Sequence, residues 1–193
     1  MKILNRKNQK GFTLVELLIA MVILAILVAS VYTLQQKAKE SSTTKIVNDD
    51  LRLLDGMILE VRGPSGFNMT GLNVDEVVGT DKSNKLRRDD GLGGFDLIIA
   101  DNFPVTSIAA ATSLTANDSY AATIDGFDDQ QCSDIVRNLW PIYNSLAING
   151  TIVKANSSVQ MDNTTSTAVN TNCAQLETNG LANVIVLTKR ISG

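Results

Sequence analysis

Gly11-Phe12-Thr13-Leu14-Val15-Glu16, continued by Leu17-Leu18-Ile19-Ala20-Met21-Val22-Ile23-Leu24 and a run that stays uncharged to Leu34, is the stretch on which the fold turns. A helix rises about 1.5 Å per residue, so Phe12 to Leu34 reaches roughly 35 Å and crosses a hydrocarbon core of about 30 Å. The segment is a membrane span at least in its first environment. Glu16 is out of place in it. A carboxylate this deep in an apolar segment costs about 2.5 to 3.5 kcal/mol on insertion scales, and such residues pair with something or mark a function. No Lys or Arg follows Glu16 until Lys37.

On the amino-terminal side lie ten residues with four basic side chains, Lys2, Arg6, Lys7 and Lys10, and no acid. Such a flank stays in the cytoplasm and points the far end of the span outward. An ordinary secretory signal cut near Val28-Ala29-Ser30 is the competing reading. Against it, the apolar run exceeds the usual stretch of about 7 to 15 residues and continues into further helix without a turn.

On the carboxyl-terminal side the pattern becomes amphipathic. Ile46, Val47, Leu51, Leu54, Ile58 and Val61 recur at spacings of three and four, with Lys39, Glu40, Lys45, Asp49, Asp50 and Arg52 between them. Neither Pro nor Gly stands between Gly11 and Gly56, so one helix is expected from about Thr13 to Val61, on the order of 70 Å long, ended by Gly63-Pro64. Ser41-Ser42-Thr43-Thr44 has only moderate helix propensity and softens the rod without ending it.

The remainder is a body of one-domain size. Without the first ten residues the chain holds thirteen basic and twenty acidic residues, a net of −7, which argues against general nucleic-acid binding. There is no histidine, which excludes His-based acid/base chemistry, Ser-His-Asp triads and His metal sites. The two cysteines, Cys132 and Cys173, have neither redox nor zinc spacing. With the body outside the cytoplasm they oxidise to one disulfide; the alternative is two unpaired buried thiols.

Residues 63–94 read as a long loop with a short apolar piece at Leu72 to Val78. Their basic cluster, Lys82, Lys85, Arg87 and Arg88, runs into Asp89 and Asp90 and reads as a solvated mixed-charge loop rather than an anion site. Gly91-Leu92-Gly93-Gly94 lacks the context of a phosphate-binding loop and is a turn. Strands are expected at Phe95–Ile99, Ser119–Ile124 and Thr151–Val153. The strongest is Val184-Ile185-Val186-Leu187-Thr188, apolar on both faces and so central. Asp125-Gly126-Phe127-Asp128-Asp129 lacks the EF-hand register and is an acidic turn. Gln131 to Leu146 carries a helical apolar face with a break near Trp140, ahead of Pro141, and residues 155–172, rich in Asn, Ser and Thr, read as loop.

The order of basic leader, Gly11, apolar Phe12 and Glu16 as the fifth residue from Phe12 resembles the amino terminus of type IV pilins and pseudopilins. Val31-Tyr32-Thr33-Leu34-Gln35-Gln36-Lys37-Ala38, Gln130-Gln131-Cys132-Ser133-Asp134-Ile135-Val136 and Trp140-Pro141-Ile142 look like type IVb major pilins. The resemblance implies an α+β fold in which a long amino-terminal helix packs on an antiparallel sheet, with a disulfide between Cys132 and Cys173 closing a D-region, residues 132–173. It implies a leader, residues 1–11, removed by prepilin peptidase after Gly11, and N-methylation of Phe12. The helix would divide into a membrane and filament-core half, 12–34, and an amphipathic half, 35–62, with the head at 63–193.

The implied partners are the peptidase, the assembly platform and its ATPase, the inner membrane and other copies of the chain. The head would lie in the periplasm before assembly and outside the cell afterwards. No cofactor, metal or catalytic residue is expected. Cleavage would free an amine on Phe12, and Glu16 of an adjacent subunit staggered by about one helical turn would pair with it. The same amino terminus also suits a minor pilin or a pseudopilin of a secretion or DNA-uptake machine.

Overall fold

The computed structural model describes residues 14–63, 68–111, 118–155, 159–174 and 182–191. It divides into two compact units, Met1–Ser41 and Ser42–Gly193. Helix α1 covers Leu14–Arg62 without interruption, as the absence of Pro and of early Gly predicts, and Gly63 follows its last turn.

In the second unit the apolar stripe of α1 is spent on the core. Val47, Leu51, Leu54, Met57 and Ile58 are buried in one cluster with residues from the strands, while Lys45, Asp49, Arg52, Gly56 and Glu60 are exposed. Seven strands form one antiparallel sheet: β1 (Arg87–Asp89), β2 (Phe95–Ile99), β3 (Phe103–Ala110), β4 (Ser119–Phe127), β5 (Ser145–Ile148), β6 (Thr151–Lys154) and β7 (Asn183–Arg190). Their spatial order is β1-β2-β3-β4-β7-β5-β6, so β7 is internal, as its apolar run predicts. The registers Ala122↔Leu187, Ile124↔Ile185, Leu146↔Leu187 and Ile148↔Ile185 align buried apolar side chains across β4, β7 and β5.

The departures from the sequence reading have local causes. Residues 63–94 contain a one-turn helix, α2 (Val74–Val78), capped by the Asn73 side chain, and the strand β1, which pairs with β2 around the expected Gly91–Gly94 turn. Strand β3 escapes a period-two reading because Pro104 interrupts it and its register slips between Val105 and Ser107, moving the buried positions from 103 and 105 to 108. Asp125 belongs to β4, and Asp128 is the N-cap of α3 (Asp129–Leu139), in a reciprocal capping box with Gln131. Leu146, expected on the helical face, lies in β5; the chain turns at Trp140-Pro141, as the proline requires, and becomes strand at Ser145.

The largest correction concerns residues 155–172. Helix α4 (Asn163–Cys173) occupies most of them, built from residues of poor helix propensity. A capping box between Asp162 and Thr165 starts it, and the buried pair Val169 and Cys173, four apart, holds it to the core. Everything between β4 and β7, namely α3, β5, β6 and α4, is a single excursion from the sheet centre.

Candidate functional site

The first unit contains the described part of the amino-terminal signal. Leu14–Gln35 is helical, twenty-two residues long and unburied throughout, a length of roughly 33 Å. Two of its three hydroxyls bond within the helix: Ser30 Oγ donates to the Ile26 carbonyl at 2.8 Å and Thr33 Oγ1 to that of Ser30 at 2.9 Å. An apolar rod that takes up its Ser and Thr hydroxyls in this way suits either lipid or an apolar protein core. Glu16 lies in the first turn, where the partial positive charge of the helix terminus favours a carboxylate. Gly11 and Phe12, the expected cleavage and methylation positions, lie outside the described residues.

In the second unit, Cys132 and Cys173 are bonded. The bond joins the first turn of α3 to the last residue of α4, with Cα atoms 5.8 Å apart, so it closes the excursion at its base. Side-chain amides reinforce the closure. Asn183, at the start of β7, donates from Nδ2 to Asp129 Oδ1 at 3.1 Å and to the Phe127 carbonyl at 3.3 Å. Asn149, in the β5–β6 turn, donates to Asn183 Oδ1 at 2.8 Å and to the Asn172 carbonyl at 2.9 Å, and accepts from the Val184 amide. Asn149 and Gly150 have φ of 51° and 82°, the pair of positive values a tight hairpin turn requires, and Asn-Gly tolerates it.

A second polar cluster fixes α1 to the sheet. Asp55 Oδ2 takes Lys189 Nζ at 2.5 Å, and Oδ1 accepts the hydroxyls of Tyr120 and, at 3.3 Å, Tyr143. Tyr120 and Lys189 are register partners on β4 and β7, so their side chains emerge on the same face toward α1. Burial, reinforced by the nearby carboxylate, raises both tyrosine pKa values. Sequence reading missed this cluster; the available signal was an acid at position 55 within the stripe formed by Leu51, Leu54 and Ile58.

The basic cluster of residues 82–88 is largely neutralised within the head. Lys82 pairs with Glu60 at 2.5 Å, Lys85 with Asp50 and Arg88 with Asp101, while the Arg87 guanidinium lies 3.2 Å over the Phe95 ring. Asp50 also accepts the Ala100 amide at 2.9 Å, and the carboxylate raises the Lys85 pKa. This is the expected solvated mixed-charge loop, tied to α1 through Lys82 and Lys85. Asp81 organises the same segment, accepting from Ser83 Oγ at 2.7 Å and from the amides of Ser83, Leu86 and Arg87 at 3.2, 2.9 and 3.0 Å. Among the described residues, no group of three or more Cys, Asp or Glu side chains is arranged to hold a metal ion.

Residues 6–32 match the family described as Prokaryotic N-terminal methylation motif. The fold is similar to that of TcpA, a type IV pilin from Vibrio cholerae El Tor biotype, with TM-score 0.50 and 11% identity over 77% of this chain and 99% of that one. It is similar also to a type IV b pilin from Salmonella typhi, with TM-score 0.52 and 14% identity over 79% of this chain and 99% of that one. No curated protein matches the sequence significantly. The chain thus joins a prepilin-type amino terminus to a type IV pilin fold, with a long amino-terminal helix, a seven-stranded antiparallel sheet and the Cys132–Cys173 disulfide.

Proposed function

We propose that this chain is a structural subunit of a type IV pilus. The observation that carries the reading is the methylation motif, with Glu16 at its fifth position, placed on an unburied apolar helix whose chain continues into a pilin-type head. Prepilin peptidase cuts after Gly11, the new amine of Phe12 is methylated, and the chain waits in the inner membrane with residues 12–34 in lipid and its head, residues 63–193, in the periplasm. The assembly platform and its ATPase then extract it, and the apolar half-helices form the core of a filament built from head-to-tail contacts that do not close into a ring.

Glu16 sets the axial register. The amine of Phe12 on one subunit and Glu16 on the next satisfy one another in an apolar core, where either alone would be an uncompensated charge worth about 3 to 5 kcal/mol. The test is intact-mass measurement of protein sheared from cells that express the chain with type IV assembly machinery. The expected species begins at methylated Phe12 and lacks the two protons lost to the disulfide. Glu16→Val should be inserted and processed normally yet yield few filaments; wild-type filament amounts from that variant would refute the register role. Sheared wild-type protein that retains residues 1–11 would refute the cleavage assignment.

A further inference from the structure

Lys45, Asp49, Arg52, Gly56 and Glu60 follow one another on α1 at intervals of four, three, four and four residues, which places them along one face. All five are exposed, opposite the buried line of Val47, Leu51, Leu54 and Ile58. The charges alternate along this strip. Among the described residues, Lys45, Asp49 and Arg52 make no ion pair, although Lys45 and Asp49 have the spacing for one; Glu60 is held by Lys82. Asp49 acts on Lys85 only at a distance, and the ion pair of Lys85 is with Asp50.

Gly56 is the anomaly in the strip. A glycine inside a helix is unfavourable relative to alanine, and a Cβ added there would meet nothing within 4 Å. No contact within the chain therefore requires it. A helix surface that omits a side chain permits close approach from outside.

Resting on the filament reading above, we propose that this strip is the face on which a second copy of the chain docks, parallel and displaced by four residues. Lys45 of one copy meets Asp49 of the next, and Arg52 of one lies over Gly56 of the next within reach of its Glu60. Parallel alignment follows because every copy enters from the same membrane in the same orientation. The displacement follows from the charges: with no displacement like faces like at Lys45, Asp49 and Arg52, whereas a shift of four residues, about 6 Å along a helix, brings opposite charges together. Phe12 and Glu16 are also four positions apart, so both halves of the helix call for the same step. Ile46 and Leu59, 44% and 39% exposed beside the strip, give the contact an apolar margin.

The contrary reading is a helix face charged only for solubility, which predicts indifference to charge reversal. The test expresses the full chain with assembly machinery as wild type, K45E, D49K, the K45E/D49K exchange and Gly56→Leu. The single reversals and Gly56→Leu should lower sheared filament about tenfold or more, with the processed membrane pool and the thermal midpoint of the detergent-solubilised chain unchanged. The exchange should restore assembly. Carbodiimide coupling of wild-type filaments should join Lys45 and Asp49 peptides from two copies, and solubilised monomer should give no such product. Single reversals that assemble like wild type, or an exchange that fails to rescue them, overturn the proposal while leaving the filament reading intact if Glu16→Val still abolishes assembly. A wild-type chain that never polymerises overturns both.

Discussion

Asp55 shows how one side chain can decide where a helix rests. It sits on the buried side of α1 yet is a carboxylate, and its cation, Lys189, is 134 positions away on β7. Asp55→Ala would leave the Lys189 ammonium and the Tyr120 hydroxyl without their partner, so a loss of about 3 to 5 kcal/mol is expected. A urea titration of the purified chain would read this as a lower midpoint with little change in slope. Asp81 makes a second prediction, in acid. Burial raises its pKa, but the hydrogen bonds from the Ser83 hydroxyl and from the Leu86 and Arg87 amides outweigh that and hold it below the usual carboxylate value. A carboxyl with a depressed folded-state pKa contributes stability above its unfolded pKa and loses it as pH falls through the folded one. The wild-type chain should therefore lose more stability than Asp81→Asn between about pH 5 and the folded-state pKa, checked by thermal midpoints across that range. Neither Asp55 nor Asp81 was legible as a functional position, because their partners are supplied by folding and not by sequence neighbours.

At the scale of elements, the disulfide is the feature to perturb. It closes a loop with a sequence separation of 41, for which the chain-entropy model gives about 4 kcal/mol. Replacing both cysteines with serine should lower stability by that order. Hydrogen exchange should report the change first in α4, whose composition gives it little independent stability, while β4 and β7 keep their protection. If α4 amides exchange no faster than those of β7 in the variant, the helix owes nothing to the bond. The same helix explains what could not be read beforehand. Asn163–Cys173 has the composition of a loop, and it is helical because a capping box starts it and Val169 and Cys173 anchor it. Strand β3 was hidden by Pro104 and a register slip. Helix α1, α3 up to its proline, β2, and the centre of β7 were legible because local pattern and tertiary role agree there.

For the whole molecule, information is unevenly spread along the chain. The first thirty-odd residues carry a motif that specifies chemistry and environment together, and residues 6–32 suffice to match a family. The chain shares only 11% and 14% identity with the two pilins of similar fold, over 77% and 79% of its length. What is shared with them at that identity is the fold. The amino-terminal part of α1 has only to stay apolar along its length; the head has to bury its stripe of α1 and can do so with many surfaces.

The base of the excursion between β4 and β7 has a practical consequence. Its entry at Cys132 and its exit at Cys173 lie 5.8 Å apart, while β4 and β7 hydrogen-bond to each other directly from Ser119↔Arg190 to Ile124↔Ile185. The segment between them is itself part of the sheet, because β5 pairs with β7 on the side away from β4 and β6 pairs with β5. The part of it that is open to change is therefore smaller than the bonded loop. The exposed face of α4, whose buried residues are Val169 and Cys173, can vary in sequence while the disulfide and the pairing of β4, β7 and β5 stay as they are.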